Sequence, residues 1–237
     1  MKTEHQRTAL ITGANKGIGK ETARQLAQQG FAVFIGARDI AKGREAAEEL
    51  CQEGYEATFI QLDVTDPVSI KTAFGTLSQK ADHLDVLINN AGILEDHGED
   101  IVKLNPEMLD RTLKANVTGP IMVTQDALPY LQKSPNGGRI INVSSGAGAL
   151  HAMSTYAPAY SISKAALNAV TRQFAAALQD QRIVVNCVDP GWVQTDMGGP
   201  HASRPVEKGA ETIVWLATSA PSTETGKFWH DKQEAAW

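Results

Sequence analysis

TALITGANKGIG, Thr8 to Gly19, decides the fold. Thr8 to Thr12 is a short apolar run suited to a buried strand, and it enters Gly13-Ala14-Asn15-Lys16-Gly17-Ile18-Gly19 without a spacer. An amphipathic helix follows from about Lys20 to Gln29 and stops at Gly30. Strand, glycine turn and helix in that order form the setting in which glycines hold a phosphate. The helix start offers free N–H groups and a partial positive charge to a pyrophosphate, and the glycines let the backbone approach it. The spacing is G-x-x-x-G-x-G rather than G-x-G-x-x-G, and a purely structural turn satisfies it as well.

Outward from this stretch the alternation continues. Buried strands are predicted at Phe31 to Gly36, Ala57 to Leu62, Leu84 to Ile88, Arg139 to Val143 and Arg182 to Val188, with a last one around Lys227 to His230. Helices are predicted from Ile40 to Cys51 behind Asp39 as a cap, and from Asp66-Pro67 to about Lys80. Others run from Pro106 to about Gln132, from Pro158 to about Gln179, and from Val206 to Thr218. Such alternation predicts an α/β fold, doubly wound, with helices on both faces of a mainly parallel sheet. No repeat, linker or low-complexity segment divides it, so residues 1–237 read as a single domain.

In sheets of this kind ligands bind beyond the carboxyl ends of the strands. After the second predicted strand come Ala37, Arg38 and Asp39. Arg38 suits the 2′-phosphate of NADP as a planar two-pronged donor, and Lys16 adds a second charge. Asp39 would favour NAD instead, and Arg38 also reads as a solvated residue at a helix start; the balance favours NADP over NAD. Asp63, at the end of the third strand, is placed to hold an adenine amino group. Asn89-Asn90-Ala91-Gly92 ends the fourth, where small and amide residues leave room for a cofactor; alone it is also an ordinary turn. Ser144 and Ser145 end the fifth, and Asp189-Pro190-Gly191-Trp192-Val193-Gln194-Thr195 leaves the sixth. Met197 to Arg204 reads as a mobile lid.

Tyr160 and Lys164 stand four residues apart in YAPAYSISKAALNAVTR, Tyr156 to Arg172. On a helix that spacing stacks the two side chains on one face. A phenol loses its proton near pH ~10 in water, and a neighbouring ammonium favours the phenolate. Tyr160 is thereby a candidate acid or base. The plain alternative is a packed Tyr and a surface Lys. Asn116, followed by Val117, Thr118 and Gly119, is locally unfavourable in a helix interior. That marks either a functional position or an inert buried kink.

Bulk properties exclude several classes. The chain has 237 residues, 42% hydrophobic, and a net charge of −5 with both signs interspersed, which argues against a nucleic-acid partner. Cys51 and Cys187 read as isolated buried thiols rather than a disulfide or zinc site. His5, His83, His97, His151, His201 and His230 lack metal-ligand spacing. The polar start MKTEHQRTAL lacks the apolar core of a signal peptide, and no later apolar run approaches bilayer length, so a soluble cytoplasmic protein is expected.

Taken together, Thr12 to Gly19, Asn89-Asn90-Ala91-Gly92, Asn116, Ser145, Tyr160-x-x-x-Lys164 and Pro190-Gly191 resemble the short-chain dehydrogenase/reductase family in its single-domain branch. Thr12 to Gly19 and Pro190 to Pro200 are more particularly similar to its carbonyl-reductase group, although this chain has only a short loop where that group can carry a long insertion between the serine and the tyrosine. The resemblance implies a Rossmann fold with a seven-stranded sheet and an NADP(H)-dependent interconversion of a carbonyl and an alcohol. It implies Tyr160 as proton donor and Lys164 as the charge that lowers the phenol pKa and holds the nicotinamide ribose. Ser145 would hold the carbonyl oxygen, Asn116 would position a water on the way to Lys164, and Thr195 would hold the carboxamide. Further cofactor contacts would come from Asn15, Ile18, Val64, Pro190, Gly191 and Val193. It also implies a homodimer or homotetramer built on the two long helices. A cofactor-sensing protein without turnover is the alternative, and the full set of Asn116, Ser145, Tyr160 and Lys164 argues against it.

Overall fold

The structure, a computed structural model, describes residues 6–237; the polar start Met1 to His5 lies outside them, and with it the reading of His5. Largely apolar runs, buried in all but the edge strand β3, make six strands: β1 (Arg7–Thr12), β2 (Phe31–Ala37), β3 (Ala57–Gln61), β4 (Val86–Asn89), β5 (Gly138–Val143) and β6 (Ile183–Val188). With β7 (Phe228–His230) and β8 (Gln233–Glu234) they form one sheet in the order β3-β2-β1-β4-β5-β6-β7-β8. All pairs are parallel except β7–β8. The order reverses between β1 and β4, which opens a crevice at the carboxyl ends of those two strands.

Both faces are covered, as central parallel strands require. One face packs apolar residues of α1 (Gly17–Gln28), α2 (Ile40–Gln52) and α7 (Val206–Thr218), among them Leu26, Leu50 and Ile213. The other packs α3 (Pro67–Ser78), α5 (Gly119–Leu131) and α6 (Pro158–Ala177) through Phe74, Val123 and Ala175. Asp39 and Asp66 cap α2 and α3, their side chains accepting from the amides of Lys42 and Val68. No helix among the described residues is long and apolar enough to cross a membrane.

Several boundaries differ from the sequence reading, each for a local reason. The sheet has eight strands rather than seven. Asp231 and Lys232 both take left-handed values (φ 48° and 62°), the geometry of a tight hairpin, and they fold the two exposed residues of β8 back on β7. A strand that short carries no hydrophobic alternation to read. The helix expected from Pro106 to Gln132 is α4 (Pro106–Leu113), one π-turn (Lys114–Thr118) and α5. The first helix starts at Gly17 rather than Lys20, so two of the glycines lie within its opening turn. Cys187 is buried as expected, but Cys51 is exposed, on the solvent side of α2.

At the amino ends of the central strands a buried carboxylate ties three segments. Asp85 accepts from the Thr8 amide at 2.8 Å and from the Ser134 hydroxyl at 2.6 Å. Its amide donates to the Thr8 carbonyl just before β4 begins at Val86. Asp85→Ala strands these buried donors and is expected to cost about 3 kcal/mol in urea unfolding, with kcat per folded molecule unchanged.

Candidate active site

The crevice between β1 and β4 is built from the motif residues themselves. Gly13 holds φ 64°, and a side chain there would press on Ala91 Cα at 2.9 Å. A Cβ on Gly19 would meet the Asn90 side chain and, at 2.7 Å, the Gly13 carbonyl. Both positions demand glycine, so the glycine turn and Asn90-Ala91 lie against each other. Asn90 donates through Nδ2 to the carbonyls of Thr12 (2.8 Å) and Gly13 (3.2 Å), while Thr12 Oγ1 accepts from the amides of Asn90 and Ala91. Asn89 ties strands in the same way, donating to Asn142 Oδ1 at 2.8 Å deep in the sheet.

Lys16 precedes α1, and no side chain caps the first turn of that helix. Its free N–H groups, the close glycines, and half-buried Asn15 and Ile18 fit a pyrophosphate. Arg38 stands exposed directly after β2, and Asp39 beside it is committed to capping α2. Lys16 reaches Asp196 at 2.6 Å, an exposed pair worth little. Asp63 turns its Oδ1 onto the amide and hydroxyl of Thr65, and buried Val64 packs against Gly119 at the end of the π-turn. From the far side, the Thr195 methyl lies 3.1 Å from where a Cβ of Gly17 would stand. Gly191 takes φ 78° under the Arg204 guanidinium, Pro190 is buried, and Val193 packs its side chain on Gly209. Hydrogen bonds hold Met197 to Arg204 against the turn before it: Trp192 Nε1 donates to the Gly198 carbonyl at 2.8 Å, Gln194 N donates to the Arg204 carbonyl and Arg204 N to the Trp192 carbonyl.

Tyr160 and Lys164 share one face of α6, the ammonium 5.5 Å from the ring centre. Lys164 Nζ donates to the Val143 carbonyl at the end of β5 (2.8 Å). A Cβ on Gly92 would sit 3.5 Å from that Nζ and 3.1 Å from Asn116 Oδ1. The structure therefore gathers Gly92, Asn116, Lys164 and Tyr160 at one place. Asn116 is fully buried within the π-turn, and its amide accepts from Ile93 N and donates to Ile93 O and Ser163 Oγ. A π-turn is a frequent mark of a functional position. The two serines part company. Ser144 is buried against Asn168 (2.6 Å), whereas half-buried Ser145 caps the next turn through Ala147 N and acts on Tyr160.

Electrostatics departs from the expectation drawn from the resemblance. Burial pushes the Tyr160 phenol up to about 12, and the Ser145 hydroxyl pulls it back only in part. Burial lowers Lys164 to about 8. Desolvation is the largest cause in both shifts, since each side chain is almost wholly buried. A lysine whose folded pKa lies below its unfolded value binds fewer protons folded than unfolded between pH 8 and 10.5. Its contribution to stability therefore rises with pH through that window. The stability gap between the wild type and Lys164→Met, followed by thermal unfolding from pH 7 to pH 10, should move in favour of the wild type; a gap independent of pH would contradict a buried, desolvated ammonium.

A cleft of about 510 Å³ lies elsewhere, at the amino ends of β1 to β3, lined by Thr8, Phe34 and His83. None of the residues gathered above borders it, and in a doubly wound sheet the chemistry belongs to the carboxyl ends. No cluster of metal-ligating side chains occurs among the described residues.

Sequence reasoning placed Asp96 only within a pocket-lining stretch, Leu94 to Glu99; it is fully buried, and its Oδ2 accepts from the amides of Ala159 (2.6 Å) and Tyr160 (3.3 Å). It lies in an irregular polar stretch, and only its acidic side chain among loop residues hinted at a distant cap.

Comparison with known proteins agrees with this geometry. Residues 7–205 match the family model described as short chain dehydrogenase. Carbonyl reductase (NADPH) 1 of Rattus norvegicus is 33% identical over 278 aligned positions, covering 97% of this chain and 98% of the rat protein. The alignment has more positions than this chain has residues, so the relative carries extra residues within the matched span. Salutaridine reductase of Papaver somniferum is 32% identical, over 98% of this chain and 96% of the relative. The NADPH-bound carbonyl reductase from chicken fatty liver superposes with a TM-score of 0.89 at 30% identity, covering 98% of this chain and 99% of that one. With the Rossmann sheet, the glycine turn and the Tyr160–Lys164 face on one crevice, the chain belongs to the short-chain dehydrogenase/reductase family and is a carbonyl reductase-like oxidoreductase within it.

Proposed function

We propose that the protein reduces a ketone or aldehyde to an alcohol with NADPH in preference to NADH, reversibly, with Tyr160 as the proton donor. The observation that carries this reading is the gathering of Tyr160, Lys164, Asn116 and Gly92 beside an uncapped, glycine-lined helix start. In this reading the turn Gly13, Asn15, Gly17, Ile18, Gly19 holds the pyrophosphate, and Arg38 with Lys16 holds the 2′-phosphate. Asp63 and Val64 border the adenine. Asn90, Ala91, Gly92, Pro190, Gly191, Val193 and Thr195 line the nicotinamide half. Bound there, NADPH supplies the hydride.

The protein's own residues do the rest. Tyr160 is kept protonated by its burial, the form an acid needs, and gives that proton to the carbonyl oxygen. Ser145 donates a hydrogen bond to the same oxygen as charge develops on it. Lys164 stabilises the phenolate left behind and holds the ribose hydroxyls. Both amide hydrogens of Asn116 are engaged, so any water it positions donates to one of its oxygens. Leu150, Met153, Tyr156, Trp192 and Met197 expose apolar surface on the segments around the crevice, which suits a partly hydrophobic substrate. A homodimer or homotetramer assembled on α4–α5 and α6, working in the cytoplasm, completes the reading.

Product analysis with a panel of aldehydes, ketones and quinones, at equal NADPH and NADH, tests it. Alcohol formed in step with NADPH consumed is the expected result; cofactor consumed without alcohol, or a preference for NADH, contradicts it.

A further inference from the structure

We infer that Asp96 is a positioning residue that holds the start of α6, and with it Tyr160, in register. The inference rests on the reading of Tyr160 as proton donor. Helix α6 has no cap of its own: Ala157, before it, carries only a methyl group and is held at φ 39°. Pro158 has no N–H, and the ladder begins with Ser161 N donating to Ala157 O at 2.8 Å. That leaves the amides of Ala159 and Tyr160 as orphan donors in a buried turn. Asp96, 63 and 64 residues earlier in the chain, accepts from both with one oxygen.

The same loop grips the segment a second time. His97 Nε2 lies 3.1 Å from the Tyr156 hydroxyl, and the two rings meet edge to face at 5.1 Å. The Asp96-His97 pair therefore clasps the chain on both sides of the left-handed Ala157. Asp96 is 0% exposed, and its Oδ1 has no hydrogen-bond partner among the described residues. A buried carboxylate with one oxygen unpartnered is costly, so stability alone does not account for it. What it secures is the position of a backbone amide belonging to the residue that moves the proton. A displacement of about 1 Å at such a residue costs on the order of 10²-fold in rate.

The test compares Asp96→Ala and Asp96→Asn with the wild type and with Tyr160→Phe, by steady-state kinetics, NADPH binding, and amide hydrogen exchange over residues 157–164. Asp96→Ala should lower kcat on the order of 10²-fold, leave the NADPH Kd nearly unchanged and speed exchange at Ala159 and Tyr160. Asp96→Asn, which keeps the accepting oxygen, should recover at least about tenfold of that loss. Wild-type kcat or unchanged exchange in Asp96→Ala would overturn the inference. So would a rise in NADPH Kd that matches the loss of kcat, since that marks a general loosening of the fold. A fully active Tyr160→Phe would overturn the reading of Tyr160 instead, and exchange at Ala159 and Tyr160, which needs no turnover, would then judge the cap on its own.

Discussion

Tyr160→Phe should lose about 10²–10⁴-fold in turnover while binding NADPH nearly as well as the wild type. The ring stays: Tyr160 is only 7% exposed, and its aromatic body fills the same space as phenylalanine. The main chain stays too, because Asp96 holds Tyr160 by its amide rather than by its hydroxyl. Only the ionisable oxygen goes. The glycine turn, Arg38 and the Lys164 ammonium do not depend on that oxygen, since Lys164 is anchored on the Val143 carbonyl. Loss of rate with retained affinity therefore isolates proton transfer. Parallel tryptophan or nicotinamide fluorescence titrations measure the affinity. A comparable loss in NADPH binding would instead assign Tyr160 to the cofactor site alone.

Arg38→Ala should weaken NADPH by about 10–100-fold and NADH by little, the worth of a hydrogen-bonded charge contact of about 1.5–3 kcal/mol. Its position is the ground for this expectation. Arg38 follows β2 directly and is exposed, where the adenosine ribose end of a dinucleotide lies in this kind of sheet. The neighbouring acid, which would favour NAD, is turned away: the Asp39 carboxylate accepts from the Lys42 amide at 3.0 Å and caps α2. Lys16 is a second donor within reach of the turn, and its partner Asp196 is an exposed carboxylate that a phosphate displaces at little cost. The NADPH advantage should accordingly shrink as salt is raised. Equal losses for both cofactors in Arg38→Ala would refute the phosphate assignment.

The parts of this molecule that were legible in the sequence are those written in local patterns. Buried strands such as FAVFIG announce themselves by continuous apolar character, and Asp39 and Asp66-Pro67 announce the helices they cap. Tyr160 and Lys164 were legible because one helical turn brings them together whatever surrounds them. Asn116 was legible as a local conflict, though not as a π-turn, and its partners Ile93 and Ser163 come from other segments. The pKa of the Tyr160–Lys164 pair was misjudged for the same reason: spacing shows the neighbouring charge, while burial, which dominates here, is set by tertiary packing. Asp96 lay furthest from view. Its meaning arises only when a polar loop folds across the start of a helix some sixty residues later.

The most direct test of the central claim is a single turnover with NADPH deuterated at the transferring carbon of the nicotinamide and a hydrophobic ketone, the alcohol then being read by mass spectrometry. The account predicts deuterium on the carbinol carbon with the wild type, at one atom per NADPH consumed, and almost no alcohol with Tyr160→Phe. NADPH that binds the wild type tightly, yet passes no deuterium to any aldehyde, ketone or quinone, would contradict it.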